Sequence, residues 1–318
     1  MVPPEALSPV IVVAGPTASG KSGLAMDLAE RIEGTIINAD SMQVYRDLRI
    51  LTARPSQADE DRVPHLLYGN RDATEAGSAA DWATAAHTAI QAVIDAGRRP
   101  LLVGGTGLYL KALMEGLAPI PEVPGEIRQR AQDHRREIGD VAFHNELATR
   151  DPEIAARLHP GDSQRVLRAW EVVEATGRPL SDWQAEPVAA PEMAFRVLVI
   201  EPPRDELYRN CDSRFLDMIE AGAIDEVKAL AARADTEGLD PALPIFKALG
   251  YPPLASYLAE ETTLDAAIIA AQQQTRNYAK RQTTWMRHQL PGEDGDHPRI
   301  SLLKYNYIID DDLFAFMS

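Results

Sequence analysis

Short runs of consecutive apolar residues recur along the chain, separated by longer segments whose apolar residues are spaced three or four positions apart. The short runs predict buried strands, at residues 10–15, 35–37, 65–68, 100–103, 195–200 and 300–307. The spaced segments predict amphipathic helices, at residues 21–33, 78–96, 205–234 and 264–289. Strands that alternate with helices indicate a parallel sheet covered by helices.

The middle of the chain has a different pattern. Prolines cluster at 119–124 and again at 187–191, which marks two linkers, and residues 126–176 between them are helical and charged without a strand-like run. We therefore predict an α/β fold, a P-loop-containing parallel-sheet core formed by residues 1–118 and 192–318. An all-helical domain is inserted over residues 119–191. The polar segment 54–64 is predicted to be a surface loop.

The first predicted strand leads into a phosphate-binding motif, G-x-x-x-x-G-K-[ST], at residues 15–22. Its two glycines let successive backbone N–H groups face inward, while Lys21 supplies a point charge and Ser22 a hydroxyl for Mg²⁺. The start of the following helix adds the positive end of its dipole. The motif does not identify the phosphate, because a kinase, an NTPase and a transferase that releases diphosphate can all use it.

Two further polar residues follow predicted strands, at the sheet edge where ligands bind in open parallel sheets. Asp40 is a candidate Mg²⁺ ligand or general base, although Asp-Ser is also common turn chemistry. Thr106 lies among three glycines, which permit close approach to a phosphate but equally permit a tight turn.

The formal net charge is −16 and the isoelectric point is near 4.9, which argues against a nucleic-acid partner unless the cations gather on one face. Such a group occurs in the last predicted helix, where residues 272–289 contain no Asp or Glu. Its cations are Arg276, Lys280, Arg281 and Arg287. They indicate contact with a polyanion, or alternatively pair with acidic residues elsewhere in the fold.

Localisation signals are few. The segment before the first strand has no basic residue, and no run approaches the length of a membrane span. Cys211 is the only cysteine, which excludes an internal disulfide, and no Cys/His cluster has zinc spacing. We expect a cytoplasmic protein without membrane contact.

Taken together, six segments resemble the motifs of the tRNA dimethylallyltransferases, isopentenyl transferases that modify adenosine-37 beside the anticodon. The segments are GPTASGKS (15–22), NADSMQVY (38–45), PH (64–65), VGGTGLY (103–109), QRVLR (164–168) and YAKRQTTW (278–285). The phosphate loop alone is generic, but the combination, in this order along the chain, is specific to the family.

The resemblance implies dimethylallyl diphosphate as donor, tRNA as acceptor and Mg²⁺ as cofactor, bound with Ser22. Asp40 would be the general base, and Thr106 and Arg214 would act on the diphosphate. The diphosphate would be held by Gly15, Pro16, Thr17, Ala18, Ser19, Gly20, Lys21 and Ser22. The implied tRNA contacts are Asp40, Ser41, Met42, Gln43, Thr106, Arg128, Gln164, Arg165, Val166, Leu167, Arg168, Lys247, Gly250, Tyr251, Arg276, Lys280 and Arg281.

The chain departs from the family pattern in two places. The family typically has Asp-Ile-Gly-Thr-Ala-Lys-Pro where residues 49–55 read Arg-Ile-Leu-Thr-Ala-Arg-Pro, so Leu51 replaces a glycine. After Gly250-Tyr251 the family often has a basic residue, and here Pro252 follows. Two other functions share the phosphate loop, a small-molecule kinase and a nucleotide-binding regulator that binds ATP without catalysis. We expect a monomer.

Overall fold

The structure is a computed structural model that describes residues 9–186, 188, 193–290, 299–305, 313 and 316. The chain divides into two compact units, one formed by Met1–Met114 with Pro191–Ser318 and the other by Glu115–Ala190. The domain boundaries expected from the proline clusters, 119 and 191, fall close to these limits. The first unit carries the sheet and is described first.

Six parallel strands form one sheet within the described residues, in the order β3-β2-β4-β1-β5-β6. They are β1 (Val10–Ala14), β2 (Gly34–Ala39), β3 (His65–Leu66), β4 (Arg99–Gly104), β5 (Phe195–Ile200) and β6 (Ile300–Tyr305). The predicted parallel α/β fold is confirmed. β1 lies in the middle of the sheet and all five of its residues are buried, which explains why it reads as a continuous apolar run.

Thirteen α-helices occur in the described residues. They are α1 (Lys21–Arg31), α2 (Gln57–Arg62), α3 (Ala79–Asp95), α4 (Gly107–Met114), α5 (Gly125–Ile138), α6 (Asp140–Arg150), α7 (Pro152–Arg157), α8 (Ser163–Thr176), α9 (Leu180–Gln184), α10 (Arg204–Glu220), α11 (Ala223–Glu237), α12 (Tyr251–Leu258) and α13 (Leu264–Gln289). The predicted bounds of α13 are confirmed, and those of α3 differ from the observed bounds by one residue at each end.

Three predictions about local structure were wrong. The supposed loop 54–64 contains α2, whose first turn is fixed because Ser56 and Asp59 cap each other's backbone N–H groups. The supposed single helix 205–234 is two helices, α10 and α11, because the backbone turns at Gly222 with a φ of 103°. The first helix ends before Glu33, which has a positive φ, and Gly34 already belongs to β2.

The second unit is helical, with α5 to α9 around its own apolar core. Phe143 and Trp170 pack against each other in this core, with ring centroids 5.5 Å apart and ring planes inclined by 32°. Asp151 is buried and caps α7, and its carboxylate also accepts hydrogen bonds from the backbone N–H and hydroxyl of Ser181. One buried carboxylate therefore fixes the start of α7 to the start of α9.

Some predictions fall on parts of the chain that the structure does not describe. The linker predicted at 187–191 lies outside the described residues apart from Val188, and so do the last two residues of the strand predicted at 300–307. Among the helices that the structure describes, none is long and apolar enough to span a bilayer.

Candidate active site

Three loops meet at one edge of the sheet because the strands before them end in register. Ala14, the last residue of β1, pairs with Gly104 at the end of β4, and Gly104 pairs with Ala39 at the end of β2. The phosphate loop, Asp40 and Thr106 follow directly on these three strands. The edge predicted from the strand pattern is therefore where the candidate site residues come together.

The phosphate loop turns into α1 through Gly20, which has a φ of 82° and caps the helix without a side chain. A residue with a Cβ would be strained in this conformation. The loop also contains Ala18 with a positive φ, and Ser19 N–H donates to Pro16 O at 3.3 Å. The first N–H groups of α1 have no intrahelical acceptor and carry the positive end of the helix dipole, so they can bind an anion.

Two cations lie beside this loop. Lys21 Nζ donates to Pro16 O at 3.2 Å, and Arg214 of α10 donates to Thr17 Oγ1. Burial lowers the pKa of Lys21 to about 8, against an opposing effect of Asp40. Burial also lowers the pKa of Arg214, but a guanidinium remains charged at neutral pH. Both hydrogen bonds go to uncharged oxygens, so neither cation is neutralised by them.

Gln282 of α13 ties the phosphate loop to the loop after β4. Its Oε1 accepts from Thr17 N–H at 2.8 Å and its Nε2 donates to Gly105 O at 2.9 Å, and the side chain is only 4% exposed. A Cβ at Gly105 would overlap Gln282 Nε2 and Gly15 O, so only glycine allows this close approach. The glycines around Thr106 therefore serve packing against α13 as well as a turn.

Asp40 has a different role for each of its oxygens. Oδ1 accepts hydrogen bonds from Met42 N–H at 2.8 Å and Gln43 N–H at 3.4 Å. This oxygen therefore caps a turn, as is common for Asp-Ser sequences. Oδ2 accepts none from the described residues, and Asp40 lines a cavity. The turn thus orients the carboxylate and leaves one oxygen available to a ligand.

Thr106 links the Asp40 turn to α13. Its Oγ1 accepts from Ser41 N–H at 3.0 Å and also bonds the hydroxyl of Tyr278. Burial, together with the negative charge of Asp40, raises the pKa of Tyr278, which therefore stays protonated. A phosphate contact of Thr106 is not tested by this geometry, and the observed bonds hold the turn.

Several of these residues line a cavity of about 220 Å³. Polar residues form part of its lining and apolar residues form the rest. The lining residues are Thr17, Asp40, Ser41, Met42, Leu51, Thr52, Cys211, Arg214, Phe215, Met218, Lys247, Leu249, Thr275, Tyr278 and Arg281.

The loop with the Leu51 departure does not need a glycine in this chain. Its positive-φ residue is Ala53, whereas Leu51 is not among the residues with positive φ. Glu226 of α11 accepts the backbone N–H groups of Ile50 and Leu51, each at 2.9 Å. Gln43, an expected tRNA contact, donates to Thr52 O and Ala53 O at 2.9 and 2.8 Å and thereby holds the same loop.

The basic face of α13 is partly neutralised. Arg276 forms an ion pair with Asp212, and Arg287 forms one with Glu201. Of the two alternatives given for these cations, pairing with acidic residues elsewhere in the fold therefore applies to these two. Lys280 has no carboxylate partner among the described residues. Arg281 lies with its guanidinium carbon 5.5 Å from the Tyr278 ring and lines the cavity.

The other expected tRNA contacts differ in exposure. In the helical unit, Val166 is 1% exposed and belongs to the core, whereas Arg165 lies 3.6 Å from Asp162 and Arg168 lies 3.9 Å from Glu171. Gln164 and Arg128 are exposed, and Leu167 is half-buried.

In the sheet unit, Lys247 lines the cavity, and Gly250 and Tyr251 are buried at the start of α12. Pro252 lies in the first turn of that helix, where proline is tolerated because no intrahelical acceptor awaits its missing N–H.

Fold and site together define a parallel α/β protein with a phosphate-loop motif, a carboxylate and a partly apolar cavity at one sheet edge. An IPP transferase family model matches residues 43–289. A tRNA dimethylallyltransferase of Rhodospirillum centenum is 58% identical over 287 residues, 90% of each chain, and one of Rhodospirillum rubrum is 50% identical over 315 residues, 98% of this chain and 95% of that one. The chain belongs to the IPP transferase family.

Solved structures agree with this assignment. A full-length tRNA isopentenylpyrophosphate transferase from Bacillus halodurans is 32% identical, with a TM-score of 0.63 over 97% of this chain and 94% of that one. A eukaryotic dimethylallyltransferase acting on tRNA is 29% identical, with a TM-score of 0.76 over 93% of this chain and 73% of that one. The sequence-based expectation of an enzyme of the tRNA dimethylallyltransferase type is confirmed.

Three residues of the site were not assigned a role from sequence. Gln282 and Tyr278 stood inside a motif segment, and Cys211 was known only as the lone thiol. Cys211 is buried with its Sγ 4.0 Å from Thr17 O, and burial raises the pKa of the thiol. The 3.6-residue periodicity could have placed all three on inward faces of their helices, but not against a particular loop.

Proposed function

We propose that this enzyme transfers the dimethylallyl group of dimethylallyl diphosphate to N6 of adenosine-37 in tRNA and releases diphosphate. In the transfer, the bond between C1 of the allyl group and the bridging oxygen breaks, and a bond between C1 and N6 forms. The N6 proton leaves to a base, and the electron pair of the broken bond departs with the diphosphate. The observation that carries the proposal is that Asp40 and Arg214 line one partly apolar cavity beside the phosphate loop, where Lys21 also lies.

The phosphate loop and the cations bind the leaving group. Negative charge develops on the bridging oxygen as the bond breaks, and N–H donors and cations fixed in advance stabilise it most strongly. Lys21 donates to Pro16 O and Arg214 donates to Thr17 Oγ1, and both acceptors are neutral oxygens. They are therefore free to interact with the diphosphate.

Asp40 is the proposed base. Its Oδ1 is fixed by the turn at residues 42–43, Oδ2 accepts no hydrogen bond from the described residues, and Asp40 lines the cavity. As nitrogen becomes cationic, N6 loses its proton to this carboxylate. The adenine must leave its base stack to reach the cavity, at a cost of roughly a few kcal/mol.

Mg²⁺ fits the residues present. Mg²⁺ takes hard oxygen ligands and is usually held by one or two protein groups together with substrate phosphates. The exposed hydroxyl of Ser22 in the first turn of α1 supplies such an oxygen, and the described residues contain no cluster of three or more acidic, His or Cys side chains that would form a protein cage. When bound, the ion would neutralise charge on the diphosphate. A monomeric state and a cytoplasmic location stay predictions.

The test incubates the protein and Mg²⁺ with dimethylallyl diphosphate labelled in its allyl group and tRNA transcripts that carry adenine or guanine at position 37. We expect label only in the adenine transcript, in a nucleoside whose mass matches N6 prenylation. Label-free RNA together with turnover of ATP would instead support the kinase alternative.

Replacing Asp40 with Asn tests the base. The amide preserves the side-chain shape and its acceptor for the turn but cannot take a proton, so kcat should fall by about 10²- to 10⁴-fold. The affinity for tRNA, measured by filter binding, should change little. Asp59→Asn, at an exposed helix cap outside the site, is the matched control. Undiminished turnover of the Asp40 variant contradicts the assignment of the base alone.

A further inference from the structure

The wall of the cavity that α10 forms changes character along the helix. Cys211 and Arg214 lie against the phosphate loop, each within contact of Thr17. Phe215 and Met218 line the same cavity beyond them. At 1.5 Å of rise per residue, Met218 lies about 10 Å farther along the helix axis than Cys211. Later residues of α10 therefore lie farther from the proposed diphosphate position.

Leu51 stands at the apolar part of this wall. A Cβ added to Gly250 would lie 3.0 Å from Leu51 Cδ1 and 3.1 Å from Phe215 Cζ, so the two side chains meet over that glycine. Leu51 is only 5% exposed and lines the cavity, as do Met42 and Leu249. Leu51 and Phe215 of α10 thus form part of the same apolar lining of the cavity.

The position of Leu51 is firmly set by its backbone. Glu226 accepts hydrogen bonds from three successive N–H groups, those of Arg49, Ile50 and Leu51. Gln43 fixes the two following carbonyl groups. A side chain on a loop that is held from both sides cannot move aside at low cost, so Leu51 acts as a fixed boundary.

We propose that Leu51 limits the donor to a five-carbon chain by closing the apolar part of the cavity away from the phosphate loop. The inference rests on the proposed function and specifies the substrate class of the same site. With the diphosphate held at Thr17, a longer allylic chain such as geranyl would extend along α10 towards Phe215 and meet Leu51. One methylene in an apolar pocket changes kcat/KM by about 10- to 200-fold. The three carbons that leucine has beyond alanine should therefore contribute much of the discrimination between dimethylallyl and geranyl diphosphate.

The experiment compares dimethylallyl and geranyl diphosphate as competing donors to an adenine-37 tRNA transcript, with the modified nucleosides quantified by mass. We expect Leu51→Ala to raise the geranyl-to-dimethylallyl ratio of kcat/KM by at least about tenfold. Ile50→Ala is the matched control, because Ile50 shares the same carboxylate and loop but does not line the cavity. It should leave the ratio unchanged.

The outcomes separate the inference from the function. Wild-type protein that transfers neither chain contradicts the proposed function and the inference with it. Wild-type transfer of dimethylallyl with an unchanged ratio in Leu51→Ala contradicts the inference alone. A higher KM for tRNA at an unchanged ratio would assign Leu51 to the adenine instead. If circular dichroism shows that Leu51→Ala is unfolded, Leu51→Val, which removes one carbon, is tested instead. Its geranyl-to-dimethylallyl ratio of kcat/KM must then rise, but by less than expected for Leu51→Ala.

Discussion

Two groups of cations in the sheet unit differ in the partners of their hydrogen bonds. Beside the phosphate loop, Lys21 and Arg214 donate to a carbonyl and a hydroxyl. On the outer face of α13, Arg276 and Arg287 pair with the carboxylates of Asp212 and Glu201. A count of cations along the sequence cannot distinguish the two groups, because the partner decides whether charge remains for a ligand.

The difference supports the proposal that a protein of net charge −16 binds a diphosphate. Carboxylates neutralise cations on the surface, where an ion pair is worth little and water screens it. In the cavity, desolvated cations interact with an anion much more strongly than they would in water. Three experiments test this contrast, in order of the expected effect.

The largest effect is expected at Arg214. Arg214→Met removes the guanidinium beside Thr17 and keeps an apolar stem, so kcat/KM for dimethylallyl diphosphate should fall by about 10²- to 10³-fold. Steady-state kinetics with tRNA in excess measures the change. Arg209→Met, at an exposed position on the same helix, should remain within about threefold of the wild type, as surface substitutions usually do. Equal losses in both variants would mean that the position in the cavity has no special importance.

A smaller effect is expected from the titration of Lys21. Its pKa of about 8 means that the ammonium is present below pH 8 and is lost above it. The affinity for diphosphate should therefore fall above pH 8, by up to about tenfold per pH unit. Lys21→Arg should bind diphosphate without this fall, because a guanidinium stays protonated throughout. Isothermal titration calorimetry of both proteins from pH 7 to 10 measures the affinity for diphosphate. An identical fall in affinity in the two proteins would show that the titrating group is on the ligand and not Lys21.

The smallest effect compares two cations one turn apart on α13. Lys280 is exposed without a carboxylate partner in the described part of the chain, whereas Arg276 is paired with Asp212. If this face contacts tRNA, Lys280→Gln should weaken binding a few-fold and reduce the salt dependence by about one phosphate contact. Arg276→Gln should change both less. The reverse order would show that tRNA displaces Asp212 from Arg276.

Local signals in the sequence were sufficient to predict most strands and helices of the fold. The buried strands read as continuous apolar runs, and α13 was predicted with its observed bounds because apolar residues recur along it at helical spacing. The short helix α2 was missed because a six-residue helix has no buried residue and hence no periodicity. The break at Gly222 was missed because apolar spacing continues on both sides of the turn.

The candidate site was harder to predict because its contacts are distant in sequence. The register of parallel strands brings Asp40 and Thr106 to the phosphate loop, so their motif positions were informative. The pairing of Arg276 with Asp212 spans 64 residues and depends on how α13 packs on α10, which no local pattern encodes. The same holds for Leu51, whose identity departs from the family pattern but whose direction is set by Glu226.

The bridge made by Gln282 has a consequence for the order of biosynthesis. The phosphate loop is translated well before α13, and the amide of Thr17 receives its side-chain partner from a residue 265 positions later. The nascent chain therefore cannot finish its anion-binding loop until α13 has been translated and docked.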